Sequence, residues 1–234
     1  MSPKEFAARR RALMQQMGGG IAIVPTNPHH LRNRDTEFPF RPDSDFQYLT
    51  VFAEPEAVAV LIPGRPQGEY ILFCRERDPA KETWTGRRAG PEGAREHFGA
   101  DDAFPIADLD DIMPGLLENR GKVFYSLGAH SEFDQRVLGW VNSLRSKSRA
   151  GVHVPSEFVD LGHLLHDLRL FKSAAEMKVM RRAADISAAA HCRAMRVCRP
   201  GMWEYQIEAE LRHEFIREGA RLPAYEPIVG GGAN

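Results

Sequence analysis

The sequence has little of what marks a secreted, membrane-spanning or nucleic-acid-binding chain. Three cysteines among 234 residues, Cys74, Cys192 and Cys198, are odd in number and lack CxxC spacing. They spell neither a disulfide framework nor a zinc knuckle, and a reducing compartment is expected. No charge of one sign prevails: 31 Lys and Arg face 32 Asp and Glu, so no overall field draws the chain to nucleic acid or an anionic membrane. No apolar run approaches the roughly 18 residues of a membrane span, and the start, Ser2, Pro3, Lys4 and Glu5, has no apolar signal core. A cytoplasmic protein with no nucleic-acid or membrane partner is the expectation.

Ready-made chemical motifs are also missing. Gly230, Gly231 and Gly232 lack the lysine and following helix of a phosphate loop, and Gly18, Gly19 and Gly20 follow a helix rather than a strand. There is no GxSxG, no local Cys-His motif, and His213-Glu214 is not HExxH. For the close histidine pairs, His29 with His30 and His163 with His166, no carboxylate or cysteine completes a ligand set as typical sites require.

What is present is ordinary globular composition, 43% hydrophobic and 27% charged, enough for one large or two modest domains. Ser2 and Glu5 form a capping-box pattern, Pro3 suits a first helical turn, and three glycines follow Met17, so residues 3–17 read as a helix. β-Favouring runs at 21–24, 46–51, 57–62, 69–74 and 122–126 read as strands. Residues 106–118, interrupted by Pro114-Gly115, and 132–145 read as helices. Mixed strands and helices over residues 1–160 indicate an α/β layer domain.

After Asp160 the character changes. Ser173 and Glu176 make a second capping box, followed by Met177, Met180, Ala184, Ala188 and Met195 at helical spacing, so 172–199 reads as a helix. A further helix over 203–218 repeats Trp203, Ile207, Leu211 and Phe215 and stops at Gly219. The segment from Tyr225 to Asn234 reads as the start of a strand entering a glycine-rich turn. Two amphipathic helices ordinarily cover a sheet, so residues 161–234 read as an incomplete α+β domain.

The most distinctive stretch is RDTEFPFRPDSDFQYLT at 34–50, a charged loop with an aromatic-proline kink, continuing into VFAEPEA. It closely resembles the aminopeptidase P family, where an RxxDTEYPFRQDSDFxYLTGFxEPEA-like stretch is characteristic; Val51 stands where the family usually has glycine. ETWTGRR at 82–88, LRLFKS at 168–173 with Glu176 and RRA at 181–183, then RPGMWEY at 199–205 with IVGGGAN at 228–234, match in the same order.

The resemblance implies a creatinase-type N-terminal α/β domain over 1–160 and the opening helices of a truncated pita-bread domain over 161–234. It implies hydrolysis of the bond between an N-terminal residue and a following proline. In such enzymes two metal ions, usually manganese, are held by two aspartates, one histidine and two glutamates, and activate a bridging water. All five ligands are expected beyond Asn234, as are the histidines that guide substrate. A bond to proline offers no N–H to grip, so shape must do the recognising. By resemblance, Trp84 is offered by a neighbouring subunit of a homo-oligomer to wall the substrate pocket. Asp35 and Arg149 match polar positions that line or support the opening, and Tyr225 matches a tyrosine near the metals. A proline dipeptidase, or a non-catalytic pita-bread protein that binds peptides or histones, would share the fold.

Overall fold

A computed structural model describes all residues, 1–234. The chain divides into two compact units, Ser2–Phe171 and Lys172–Asn234, the latter together with Met1.

In the first unit, α1 (Pro3–Met17) leads into β1 (Ile21–Pro25), a small hairpin of β2 (Leu31–Asn33) and β3 (Thr36–Glu37), and α2 (Ser44–Thr50). There follow β4 (Val58–Leu61), β5 (Tyr70–Cys74), α3 (Pro79–Thr85), α4 (Gly90–Phe98), β6 (Asp102–Pro105), α5 (Leu109–Leu117), β7 (Lys122–Phe124), α6 (Ser131–Ser146), β8 (Glu157–Val159) and α7 (Leu161–Leu170). Six strands form one mixed sheet in the order β6-β5-β4-β1-β7-β8. β1 runs antiparallel to β4 and parallel to β7, and β7 is parallel to β8.

The apolar runs at 21–24 and 70–74 show no polar alternation because the sheet is buried on both faces. Ala22 and Val24 pack with Leu13, Phe46, Leu49 and Leu165 on one side. Ile21 and Ile23 point the other way, among Leu109, Met113, Val137 and Trp140. The period-2 alternation thus sorts one strand's side chains between two cores. α5 continues past Pro114, with Leu109, Met113 and Leu117 all buried along one face.

The helix expected over 3–17 is present, but Ser2 makes no capping hydrogen bond through its side chain; Glu5 instead meets Arg9 at 2.9 Å. The strand expected over 46–51 is not a strand. These residues belong to α2, where Asp43 Oδ1 accepts the Asp45 and Phe46 N–H groups at 2.8 and 2.9 Å. Two arginines finish the other end: Arg9 donates to Tyr48 O at 3.1 Å and Arg10 to Leu49 O at 2.9 Å. Caps supplied from both sides outweigh the β preference of Phe46, Tyr48 and Thr50.

Val51 closes this helix in the left-handed region, φ 57°, a conformation unfavourable for a β-branched residue. Its side chain is exposed, so little packing is lost with it. Val51→Gly is expected to stabilise the unit by about 1 kcal/mol after the entropy that glycine returns to the unfolded chain. A higher urea midpoint with an unchanged slope is the expected reading; a lower midpoint would show the turn carries no strain.

All three cysteines are free thiols, with Cys74 buried and Cys192 and Cys198 exposed. Burial, reinforced by Glu54 and Glu92, pushes the Cys74 thiol up to about 12, so it stays protonated and unreactive at neutral pH. Maleimide labelling of the native chain is expected to modify two thiols, and a third only in denaturant.

In the second unit, α8 (Ala174–Val197) pairs with α9 (Glu204–Arg217). Ser173 caps α8 as its sequence suggests: its Oγ accepts Glu176 N–H at 3.2 Å and Glu176 Oε2 accepts Ser173 N–H at 2.8 Å. Ile186, Ala190 and Leu211 are buried, with Arg193 bridging to Glu210 at 2.6 Å. The stripe of Met177, Met180 and Met195 is exposed, so it is not the face that meets α9. The strand expected from Tyr225 is absent, the segment being bends and turns. A strand requires a neighbour for its backbone groups, and no strand of this unit lies beside it.

Candidate functional site

From β1 the chain turns to β4, β5 and β6 on one side, then crosses to β7 and β8 on the other. The carboxyl ends of β1 and β7 therefore flank a topological switch point, where open α/β sheets form crevices. Two cavities lie there. One, of about 340 Å³, is lined by Val24, Pro25, Tyr125, Asp43, Asp45 and Asp160 among others; the second, of about 450 Å³, by His29, Glu37, Glu56, His130, Glu132 and Phe133 among others.

The carboxylates of the first cavity are already engaged. Asp43 caps α2, Asp160 Oδ1 accepts Gly162 N–H at 3.0 Å to cap α7, and Asp45 is ion-paired to Arg169. His166 Nε2 stands 3.7 Å from Asp45 Oδ2. The Tyr48 hydroxyl donates to Leu168 O at 3.3 Å, so Asp45 and Tyr48 together fasten α7 to α2. In the second cavity His29 Nδ1 lies 2.8 Å from Glu37 Oε2. Neither cavity joins a nucleophile to a base, so neither carries a catalytic constellation.

Of the four residues singled out from the sequence, Trp84, Asp35 and Arg149 line neither cavity, and Tyr225 belongs to the second unit. Trp84 is 89% exposed on α3, so it is not packed into the core. Its short helix is braced by Arg77, whose Nε and Nη2 donate to the two oxygens of Glu82 at 2.6 and 3.0 Å, and by Asp78, which accepts Lys81 N–H at 3.2 Å. Asp35 sits in the turn between β2 and β3 and forms no ion pair with Arg32 or Arg41. Arg149 lies exposed in the single 3-10 turn that follows α6. Tyr225, in the second unit, is 76% exposed.

The histidine pairs gather no ligands, and nowhere do three or more His, Cys, Asp or Glu side chains converge as a metal site requires. The residues of this chain therefore do not fit a dinuclear metal centre. The Asp45–Arg169 and Arg9–Tyr48 ties were not foreseen, since their partners lie far apart in sequence. The Asp-Ser-Asp run at 43–45 is the signal that could have located the cap of α2.

Residues 6–125 match the family model described as the aminopeptidase P N-terminal domain, and residues 178–234 match metallopeptidase family M24. A Xaa-Pro aminopeptidase of Escherichia coli is 42% identical over 100% of this chain and 54% of its own length. One from Haemophilus influenzae is 36% identical over 99% of this chain and 51% of its own. The structure of Pseudomonas aeruginosa aminopeptidase PepP superposes with a TM-score of 0.94 at 61% identity, over 96% of this chain and 51% of that one. The chain thus spans about half the length of the curated relatives it matches. No helix is long and apolar enough to cross a membrane. With an N-terminal domain model matched across half of its residues, followed in order by the start of a metallopeptidase domain, this chain belongs to the aminopeptidase P family.

Proposed function

We propose that the chain is the amino-terminal portion of a metal-dependent Xaa-Pro aminopeptidase, which hydrolyses the bond between an N-terminal residue and a following proline in peptides. The observation that carries this reading is the ordered pair of family matches, 6–125 and 178–234, on a fold shared with an aminopeptidase at a TM-score of 0.94. In this reading residues 1–160 are the N-terminal domain and 161–234 the start of the pita-bread domain. The cofactor is a pair of manganese ions whose ligands follow Asn234, and the protein works in the cytoplasm.

The same reading assigns Trp84 to a subunit contact in a homo-oligomer, where it walls a neighbour's substrate pocket. An almost fully exposed indole on a braced helix, followed by Arg87 and Arg88, is the kind of anchor that interfaces bury. Asp35 and Arg149 take the polar positions at the opening, and Tyr225 stands near the metals. In a polypeptide of the relatives' length, Trp84→Ala is expected to lower both oligomer mass, by light scattering, and turnover of an Xaa-Pro peptide. If neither changes, Trp84 is an ordinary surface residue. Comparing Xaa-Pro dipeptides with longer Xaa-Pro peptides tests the function itself: cleavage of dipeptides alone would identify a proline dipeptidase instead.

A further inference from the structure

We propose that Glu204 is a positioning residue whose carboxylate latches the glycine turn at 230–234 onto the first turn of α9, fixing the course of the segment that leads on to the catalytic ligands. The latch stands on geometry; its consequence for catalysis rests on the function proposed above.

Glu204 Oε1 accepts two hydrogen bonds, from Gly231 N–H at 2.7 Å and from Asn234 Nδ2 at 2.8 Å. Asn234 N–H donates back to Gly231 O at 3.1 Å, closing the turn on itself. The glycines suit this shape: a Cβ on Gly230 would lie 3.2 Å from Asn234 O, and Gly232 is left-handed at φ 62°. Trp203 N–H is satisfied by Gln206 Oε1 at 2.8 Å, so Glu204 is free to reach the turn rather than cap its own helix. The bonds from Asn234 and then Gly231 hold the Glu204 carboxyl below its ordinary range, against a smaller opposing effect of burial. They therefore favour the ionised form, the stronger acceptor.

Within residues 1–234 this stretch has few other ties. From Arg221 to Asn234 there is no helix or strand, and the other side-chain tie to α9 is the ion pair of Arg212 with Glu226. Within these 234 residues, loss of Glu204 would leave the turn held by its own single backbone bond. A disordered turn would leave the next segment without a defined starting point, and active-site geometry tolerates little misplacement.

Amide hydrogen exchange on the isotope-labelled 234-residue chain reads the latch directly. Glu204→Ala is expected to speed exchange at Gly231 by about 10-fold or more. Glu204→Gln, which keeps an acceptor, should give a smaller change, and the Leu211 amide, unchanged in both variants, reports that α9 is folded. Unaltered Gly231 exchange in the alanine variant overturns the latch. In a polypeptide of the relatives' length, Glu204→Ala should lower kcat for an Xaa-Pro peptide by about 10-fold with KM little changed, and glutamine should restore part of it. Unchanged kcat overturns the positioning role. Absence of Xaa-Pro turnover in the unaltered polypeptide would count against the proposed function, while exchange at Gly231 still decides the latch.

Discussion

Arg10→Ala is expected to destabilise the Ser2–Phe171 unit by about 3 kcal/mol. Arg10 is only 6% exposed. Its guanidinium lies 4.0 Å from the Tyr70 ring centroid, donates to Leu49 O at 2.9 Å and reaches Gly99 O at 3.5 Å. Burial lowers its pKa, while Tyr70 and Asp101 act in the opposite sense; an arginine nevertheless remains charged at neutral pH. Truncation strips the last turn of α2 of a donor, abandons a buried carbonyl and empties the space filled by the stem. A unit of this size should lose about 8 °C of thermal midpoint. Arg11, one residue on and exposed, is the control: Arg11→Ala should fall within about 0.5 kcal/mol of the parent. Equal effects of the two substitutions would refute the account of how α2 is held.

The second large effect is on activity. The 234-residue chain is expected to show no Xaa-Pro hydrolysis and no stoichiometric uptake of manganese. A dinuclear site needs several converging oxygen and nitrogen ligands, whereas no three candidate side chains meet here and the carboxylates around the first cavity are committed to caps and an ion pair. Isothermal titration with manganese and hydrolysis of a proline-containing peptide check the claim. Tight one-to-one or two-to-one uptake together with metal-dependent turnover would mean the active site has been misplaced, and His29 and His166 would be the first residues to replace. The exposed Met177, Met180 and Met195 stripe, together with Trp203 and Tyr205, which stack at 6.3 Å between ring centroids, should also make the isolated chain prone to self-association.

Much of the fold was legible where signals are local. α1, α6, α8 and α9 follow from caps, glycine stops and 3.6-residue periodicity, and β1, β4, β5 and β7 from short apolar runs bounded by turns. Short elements such as α3, α4, β6, β8 and α7 were not read. Each is ten residues or fewer, too short for periodicity to rise above the polar residues around it. The candidate site residues Asp35, Trp84, Arg149 and Tyr225 rest on a family resemblance rather than on chemistry visible in the chain, and the structure sets all four on the surface without bringing them together.

By itself the sequence determined the family, through ordered blocks from residue 34 to residue 234, and the lack of any complete ligand set or nucleophile motif, because residue types at fixed spacing are properties of the chain alone. Only the tertiary structure decided that residues 46–50 are helical, that Arg9 and Arg10 cap them, that Asp45 pairs with Arg169, and that Glu204 holds the glycine turn. The ties of Arg9, Arg10, Asp45 and Glu204 depend on partners 27 to 124 residues away. A hydrogen bond or ion pair across such a separation exists only once the fold has brought its two ends together, and no local preference encodes it.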